Sequence, residues 1–276
     1  MNQLAVRAYE LRQDVLDIIV AGGGGHIGGD MSSMEIVLAL YHRMHVNPAN
    51  QNDPDRDRFV LSKGHCVETL YAVLADRGFL DMGEVKAKFS RFGSEYIGHP
   101  HNTLPGIEMN SGSLGHGLSV CVGMALAGRM NRKDYRVYTL MGDGELAEGS
   151  VWEGLMAAGH YRLDNLCAVI DRNRLQISGY TEDVMGHHDL HARLAAFNWH
   201  VVDVADGNDV DQLNAAFDEA ERTKGKPTVL IANTVKGKGS PLMENKAGWH
   251  HHLPNREEYE QITRDLKARK EAMERE

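Results

Sequence analysis

The chain has 276 residues, of which 42% are hydrophobic and 25% are charged, as in ordinary soluble globular proteins. Its formal net charge is −9 and its Lys and Arg residues are scattered, which argues against binding to the phosphate backbone of nucleic acids. No apolar run approaches the roughly 18 residues that can span a bilayer, so we expect no membrane segment.

Three cysteines, Cys66, Cys121 and Cys167, lie in apolar or mixed segments without metal-ligand spacing. Their odd number and their surroundings predict buried free thiols in a reducing compartment. The N-terminus is charged and lacks the apolar core of a signal peptide. Both observations indicate a cytoplasmic protein.

The first part of the chain alternates helical and extended patterns. Helical periodicity predicts an N-terminal helix over residues 3–20, after which the stretch "GGGGHIGGD" interrupts regular structure. Ser32 and Glu35 have the spacing of a capping box, which predicts that the next helix begins at Ser32. The stretch "DRFVLS" predicts a strand, and Val67–Asp76 predicts a helix that ends before Gly78.

The second part predicts four strands alternating with helices. The strands are expected at residues 136–141, 166–170, 200–204 and 228–235, and the helices at 114–130, 151–161, 190–197 and 210–223. Continuous apolar strands separated by helices are typical of an α/β fold with a doubly wound, mostly parallel sheet and helices on both faces. Without a linker or repeat, we expect a single domain over residues 1–276, with a C-terminal helical extension over 255–276.

The glycine-rich turn "MGDGELAEG" follows the strand at 136–141 and carries Asp143, Glu145 and Glu148. The next strand ends in "DRN", which places Asn173 30 residues after Asp143, about one strand–helix–strand unit. Ligands of open α/β sheets bind at the carboxyl ends of strands, where both residues are expected to meet. An acid and an amide predict an open magnesium site that also binds an anion, although "GDG" alone is a common turn.

At this pairing the sequence resembles a known family. "GDG" followed by Asn resembles the thiamine-diphosphate-binding signature, and its surroundings are similar to transketolase. The stretches "GGHIGGDMSSMEIVLALY", "DRFVLSKGH", "GHP", "GIEMNSGSLGHGLSVCVGMALA" and "KGKG…NKAGWH" occur in the family's order over nearly the whole chain. The resemblance implies the thiamine diphosphate-binding fold, and transfer of a two-carbon ketol unit from a ketose to an aldose.

The resemblance also implies roles for individual residues. Metal ligands for Mg²⁺, Ca²⁺ or Mn²⁺ are expected at Asp143, Asn173 and the backbone carbonyl of Leu175. Catalytic roles are expected for His26, His65, His99, His250 and Glu148. Contacts to thiamine diphosphate are expected from Gly112, Ser113, Leu114, Gly142, Asp143, Gly144, Glu148, Glu153, Asn173, Ile177 and His65.

Purely structural roles could also explain some of these residues. Glu148 is implied in the cofactor-activating proton network near a subunit interface, but a solvated glutamate fits the same position. Ser150 and Glu153 have the spacing of a capping box. Glu145 has no implied role and is expected to be solvated.

Two features depart from the family pattern. His116 stands where transketolases usually have glutamine, and it could alter a hydrogen bond near the pyrimidine ring or lie on the helix surface. The run "GWHHHLP" adds His251 and His252 after His250. These two histidines could extend the substrate channel or be exposed.

A full-length transketolase continues through pyrimidine-binding and C-terminal domains, which have no counterpart in this sequence. The resemblance therefore implies the N-terminal subunit of a split transketolase, whose partner is a separate C-terminal subunit, with two copies of each in an α2β2 assembly. The substrates are expected to be sugars or sugar phosphates. The donor and the acceptor stay undecided, because most phosphate-binding residues would lie on the partner.

Three alternatives stay open at this point. The first is deoxyxylulose-phosphate synthase, which shares the glycine–histidine entry motif, although "DRFVLSKGH", "GHP" and "NKAGWH" favour transketolase. The second is a non-catalytic thiamine diphosphate-binding module or regulatory partner, which would not need the channel histidines. The third is a zinc site built from some of the 15 histidines, whose runs lack the spacing of a helix-borne ligand pair.

Overall fold

The computed structural model describes residues 3–275, and its centre is a five-stranded sheet in the order β1-β2-β3-β5-β4. The strands are β1 Arg58–Leu61, β2 Val137–Gly142, β3 Leu166–Arg172, β4 His200–Val204 and β5 Thr228–Asn233. Every neighbouring pair is parallel. The predicted parallel sheet is confirmed, and its carboxyl ends share one edge.

Helices cover both faces of the sheet. They are α1 Gln3–Gly22, α2 Ile27–Arg43, α3 Val67–Asp76, α4 Met82–Lys88, α5 Gly117–Met130, α6 Gly149–Tyr161, α7 Thr181–Met185, α8 Leu190–Ala196, α9 Val210–Arg222 and α10 Arg256–Met273. Phe59 and Leu61 pack with α1, α2, α3, α9 and α10, whereas Val60 packs with α5, α6 and α8. This alternation along β1 is the period of two that a strand buried on both faces requires. The predicted doubly wound α/β fold is confirmed.

The start of α2 differs from the prediction. The helix begins at Ile27 after His26, not at Ser32, so the capping box at Ser32 was wrong. Ser32 is buried within the helix, and its hydroxyl donates to Asp171 at 2.6 Å and lies 3.0 Å from the backbone carbonyl of Gly29. Glu35 forms a buried ion pair with Arg12. Both side chains therefore have long-range partners that the local spacing does not reveal.

Helix α5 begins at Gly117, later than the expected 114–130, and its glycines permit close packing. A Cβ atom on Gly117 would lie 2.5 Å from the Ser62 side chain, and one on Gly128 would lie 2.8 Å from Tyr135. The C-terminal helix α10 docks through buried Ile262 and Leu266 on the core that contains α1. The domain boundaries stay predictions, and residues 1, 2 and 276 lie outside the described part.

The three cysteines are buried and free, as predicted. No helix within residues 3–275 is both long and apolar enough to cross a membrane. Both findings concern the described part of the chain.

The contact between α6 and the end of α8 generates a stability prediction. A Cβ atom on Gly159 would lie 1.8 Å from the backbone oxygen of Phe197, which cannot move without displacing the chain. Gly159→Ala should therefore destabilise the fold by about 1–3 kcal/mol, measured as the free energy of unfolding in urea.

Gly123 in the middle of α5 is the matched control, because no atom lies within 4 Å of a Cβ placed there. Gly123→Ala should stabilise the protein by about 0.5–1 kcal/mol, since alanine loses less backbone entropy in a helix. Equal stabilities for the two variants would contradict the close backbone approach at Gly159.

Candidate functional site

A cavity of about 460 Å³ opens at the carboxyl ends of β1, β2, β3 and β5. The structure brings most of the predicted site residues to its wall. Those are His26, His65, His99, Gly112, Leu114, Gly142, Asp143, Gly144, Asn173, Leu175, Ile177 and His250. Six further residues line the cavity, and the sequence predicted no role for any of them: Gly29, Lys63, Glu145, Gln176, Ser178 and Lys236.

An ion pair joins Lys63 in the cavity wall to the fully buried Asp171. Lys63 follows β1, Asp171 lies in β3, and the Nζ–Oδ2 distance is 2.5 Å. Ser32 donates to the same carboxylate at 2.6 Å, and the Thr234 hydroxyl, just after β5, donates to its other oxygen. Burial acts to lower the pKa of Lys63, but Asp171 together with Cys66 and Asp30 outweighs burial and raises that pKa. The pair therefore fixes the Lys63 charge in the cavity wall and balances it with a buried carboxylate.

Asp143 occupies the turn directly after β2 and is 3% exposed. One carboxylate oxygen accepts from the backbone N–H of Gly144 at 2.9 Å, and the other accepts from Arg174 N–H at 2.8 Å and from the Thr181 hydroxyl at 3.1 Å. Within residues 3–275 it forms no ion pair. Burial, followed by the nearby Asp171, raises its pKa. A cation beside it would offset both effects.

The other two predicted metal ligands lie on the segment after β3. Asn173 is 6% exposed, and its side-chain oxygen accepts from the backbone N–H of Leu175 at 3.2 Å. The Leu175 carbonyl accepts a hydrogen bond of 2.9 Å from Lys236 Nζ. A carbonyl oxygen has two lone pairs, so this contact leaves capacity for a second partner.

Glu145 corrects an expectation. It was expected to be solvated, but it is 2% exposed. Its carboxylate accepts hydrogen bonds from the Ser62 hydroxyl after β1 and from the backbone N–H groups of Gly115 at 2.8 Å and Gly142 at 3.1 Å. Burial raises its pKa. Glu145 thus joins the end of β1, the loop before α5 and the end of β2.

Four predicted histidines converge on one side of the cavity. The ring of His26 lies 5.0 Å from that of His65, 6.3 Å from that of His99 and 5.4 Å from that of His250, between centroids. Burial lowers the pKa of His99, and burial with nearby positive groups lowers the pKa of His26 to about 4, of His65 to about 2 and of His250 to about 3. The four imidazoles are therefore neutral at neutral pH.

Lys236 determines which nitrogen of the His250 ring carries the proton. Its Nζ lies 2.8 Å from Nδ1 of His250. An ammonium can only donate, so Nδ1 accepts and the proton of the neutral ring is on Nε2. Burial, and then Lys63, lower the pKa of Lys236 to about 8.

The additional histidines separate into different environments. The exposed His251 lies 4.6 Å from the ring of His26, beside the cluster. His252 packs on Trp249 and contacts Glu258 at 2.8 Å, away from the cavity. His116 lies at the start of α5, and its ring nitrogen contacts the Leu114 carbonyl at 3.0 Å.

Three predicted cofactor residues do not line the cavity: Ser113, Glu148 and Glu153 are exposed. The alternative capping box at Ser150 was wrong, because Ser150 donates to the carbonyl of Gly115 and Glu148 precedes α6 without a side-chain cap. The roles of these residues stay predictions.

The zinc alternative finds no support in the described residues. Within residues 3–275, no three His, Cys, Asp or Glu side chains are grouped so that they could hold a metal ion. A site formed by one carboxylate, one amide and one backbone carbonyl is of a different kind. The finding therefore leaves the prediction at Asp143 untouched.

Comparison with known proteins decides the family. The family model for the "Transketolase, thiamine diphosphate binding domain" matches residues 3–271. The chain belongs to the transketolase family.

Two relatives that are themselves named as transketolase subunits match nearly the whole of this transketolase chain. It is 46% identical to an apulose-4-phosphate transketolase subunit of Phocaeicola vulgatus, over 100% of this chain and 98% of that protein. It is 42% identical to the 6-deoxy-6-sulfo-D-fructose transketolase subunit SqwG of Clostridium sp. (strain MSTE9), over 88% of this chain and 89% of that protein.

A solved structure of Pichia stipitis transketolase in complex with sedoheptulose 7-phosphate matches with a TM-score of 0.91 and 33% identity. The match covers 96% of this chain and 41% of that one, so the chain spans less than half of the solved transketolase. These comparisons confirm the fold and the prediction of an N-terminal transketolase subunit. They also favour transketolase over the synthase.

Two lysines of this transketolase site were missed from the sequence. Lys63 lies two residues after the end of β1, in the quoted stretch "DRFVLSKGH", and Lys236 lies three residues after the end of β5, in "KGKG". Their position after parallel strands was the available signal, because it is the same signal that identified Asp143 and Asn173.

The Lys63–Asp171 pair generates a second stability prediction. Asp171→Asn should cost about 3–5 kcal/mol in the free energy of unfolding, because the variant leaves the Lys63 charge buried and uncompensated. The control is Asp14→Asn, whose carboxylate pairs with Lys86 near the surface at 2.8 Å and should cost less than about 1 kcal/mol. If Asp171→Asn lowers the free energy of unfolding no more than Asp14→Asn does, the buried pair does not stabilise the fold as described.

Proposed function

We propose that this chain binds thiamine diphosphate through a divalent cation, and that it catalyses ketol transfer together with a separate C-terminal transketolase subunit. The observation that carries the proposal is Asp143, a buried carboxylate without an ion pair in the described part of the chain, in the wall of a cavity bordered by neutral histidines. An enclosed acid of this kind favours a cation, and the cation in turn favours an anionic ligand.

The metal would be held by Asp143, by the side-chain oxygen of Asn173 and by the backbone carbonyl of Leu175. All three are hard oxygen donors, which suit Mg²⁺, Ca²⁺ or Mn²⁺ rather than softer ions. One protein carboxylate leaves positive charge on a divalent ion, so the set suits a site shared with a diphosphate. Lys236 beside Leu175 would add a second positive charge on the same side.

The rest of the cavity suits a cofactor of this size. Its volume of about 460 Å³ falls within the usual range for small-molecule sites. A Cβ atom placed on Gly142 would meet no atom within 4 Å, so the backbone at the end of β2 is open to a ligand. Gly112 has φ +145°, and a Cβ atom there would lie 2.7 Å from His99. When bound, thiamine diphosphate would supply the carbanion and the electron sink for cleavage of a carbon–carbon bond.

The histidines of this chain would bind and orient the sugar. Their rings are neutral at neutral pH, so each can donate one hydrogen bond and accept another without bringing a charge to the substrate. His250, with its proton on Nε2, would donate to a sugar oxygen. His26, His65 and His99 would hold hydroxyl groups and exchange protons with them.

Exposed apolar side chains fit an assembly with a partner. Val120 and Met130 on α5 and Met156 on α6 are exposed, and Ile177 and Tyr180 follow β3 with side chains 74% and 57% exposed.

Two further observations support that assembly. Glu148 and Glu153 are exposed at the start of α6 and would reach the cofactor from an interface there. The subunit names of the relatives support a separate C-terminal subunit, for which we propose an α2β2 assembly.

The substrates we propose are sugars or sugar phosphates. The related proteins are named for apulose 4-phosphate and for 6-deoxy-6-sulfo-D-fructose, each a sugar with an anionic group. Of the two lysines in the cavity wall, Lys63 is paired with Asp171. The anionic end of a substrate would therefore be bound mainly by the partner subunit. The three free thiols fit the cytoplasm as the site of action.

Asp143→Asn tests the metal site directly. With the C-terminal partner present, we expect loss of magnesium-dependent thiamine diphosphate binding in calorimetry, because the amide removes the only charged ligand. Asp134→Asn, an exposed residue just before the other end of β2, should leave binding unchanged. Equal affinity for the Asp143→Asn assembly and the native one would refute the site.

Lys236→Met tests the second positive charge. Loss of a charge-assisted hydrogen bond to the diphosphate should weaken cofactor binding by about 1.5–3 kcal/mol. The matched control is Lys246→Met on the exposed segment before Trp249, which should bind normally. Unchanged affinity for Lys236→Met would place the diphosphate elsewhere.

A further inference from the structure

Two carboxyl groups are buried together between α2 and α3. Asp30 lies in the first turn of α2 and Glu68 in the first turn of α3, and both are fully buried. Neither forms an ion pair within residues 3–275. The pair is therefore an unusual burial of two acids without a cation in contact.

Some carboxyl oxygens of this pair lack a hydrogen-bond donor. One Asp30 oxygen accepts from the backbone N–H of Thr69 at 2.8 Å, but within the described residues its other oxygen and both oxygens of Glu68 make no hydrogen bond of good geometry. The backbone N–H groups of Glu68 and His26 approach the Glu68 carboxyl without forming such a bond. Thr69, which binds Asp30 through its backbone N–H, directly follows Glu68, so the two buried carboxyl groups are neighbours, and each affects the pKa of the other. Two carboxylates cannot donate to one another, whereas a carboxylic acid can donate to a carboxylate. One shared proton therefore satisfies one of these oxygens on each residue.

The surroundings favour retention of that proton. Burial raises the pKa of Asp30 to about 6, and burial together with Asp30 raises that of Glu68 well above its usual value. The backbone amides of Glu68 and His26 act to lower the pKa of Glu68, and the Thr69 backbone N–H and Lys63 act to lower that of Asp30, but each of these effects is smaller than burial.

Other titratable groups border the pair. Cys66 precedes α3 and Tyr71 lies in its first turns, and both feel the charge of Glu68. Helix α1 contributes an apolar contact, since Ile19 lies against Gly25 on the same side.

The pair lies directly behind two channel histidines. A Cβ atom on Gly25, the residue before His26, would lie 2.3 Å from Glu68 Oε1. Glu68 itself follows the short 3-10 turn Gly64–Cys66 that presents His65. The contact between the two acids thus joins the start of α2, which carries His26, to the start of α3, which follows His65.

We propose that Asp30 and Glu68 share one proton and act as positioning residues that hold the imidazoles of His26 and His65 at their separation in the sugar channel. The channel role rests on the proposed function, whereas the shared proton does not. Loss of the proton would place two negative charges face to face. The first turns of α2 and α3 would then separate, and the two rings with them.

The pH dependence has a definite sign. A pKa raised by folding means that the native state binds more protons than the unfolded chain, so stability falls as pH rises from about 4 through the raised native values. Glu68→Gln replaces the acid with a permanent donor to Asp30. The variant should therefore lose less stability than the native protein as pH rises above neutrality.

Infrared spectroscopy of the assembled protein tests the shared proton without reference to activity. The native protein should show the carbonyl band of a protonated carboxylic acid at neutral pH, and this band should lose intensity in Glu68→Gln. Glu84→Gln, which removes an exposed acid paired with Lys88, should retain the band. Because burial also raises the pKa of Asp143 and Glu145, the decisive quantity is the difference between the native and Glu68→Gln spectra. A native spectrum without the band, or a band of equal intensity in Glu68→Gln, overturns the proposal.

Histidine NMR resonances and ketol transfer test the positioning role. In the native assembly, the resonances of His26 and His65 should shift together as the pair loses its proton, and kcat should fall in the same alkaline range. In Glu68→Gln both changes should be absent, with kcat/KM at neutral pH within about twofold of native, whereas Glu68→Ala should lower kcat by about tenfold.

Identical alkaline profiles for native protein and Glu68→Gln would refute the positioning role. If the native assembly catalysed no ketol transfer at all, the proposed function would fail, and the infrared and NMR results would still decide whether the proton is shared.

Discussion

A buried ion pair, Lys63 with Asp171, is the constraint on which the site depends. Its two members come from strands on either side of β2, so the pair crosses beneath the end of that strand. Ser32 of α2 and Thr234 after β5 donate to the same carboxylate. Four elements are thereby fixed at one point, and the turn that carries Asp143 lies directly beside it.

The interior balances its buried acids in different ways. Asp171 and Glu35 are paired with Lys63 and Arg12, whereas Glu145 is stabilised by hydroxyl and backbone donors. Asp143 has donors of the same kinds but lies beside the negative charge of Asp171, whereas Glu145 lies near Lys63. We explain the uncompensated charge of Asp143 by a metal and a diphosphate. Asp30 and Glu68 have too few donors, which we explain by a shared proton. The same cost of burying charge thus predicts a ligand in one place and a proton in the other.

Local patterns predicted the parts of the structure that depend on neighbouring residues along the chain. Apolar runs located the strands, and their ends placed Asp143 and Asn173 at one edge of the sheet. Local patterns could not predict the long-range contacts. Ser32 has the sequence spacing of a capping box, but its hydroxyl contacts Asp171 and the Gly29 carbonyl inside a helix that begins at Ile27. Glu145 was misjudged for the same reason, since its donors at Ser62 and Gly115 are distant in sequence.

The central claim is that this chain forms half of a transketolase site and that the other half is on a separate subunit. Ketol transfer from a panel of ketose and aldose phosphates should be measured with magnesium and thiamine diphosphate, using the purified chain alone and after addition of a separate C-terminal transketolase subunit. We expect negligible transfer by the chain alone and saturable activation at an equimolar ratio of the subunits. Full activity of the chain alone would contradict the account.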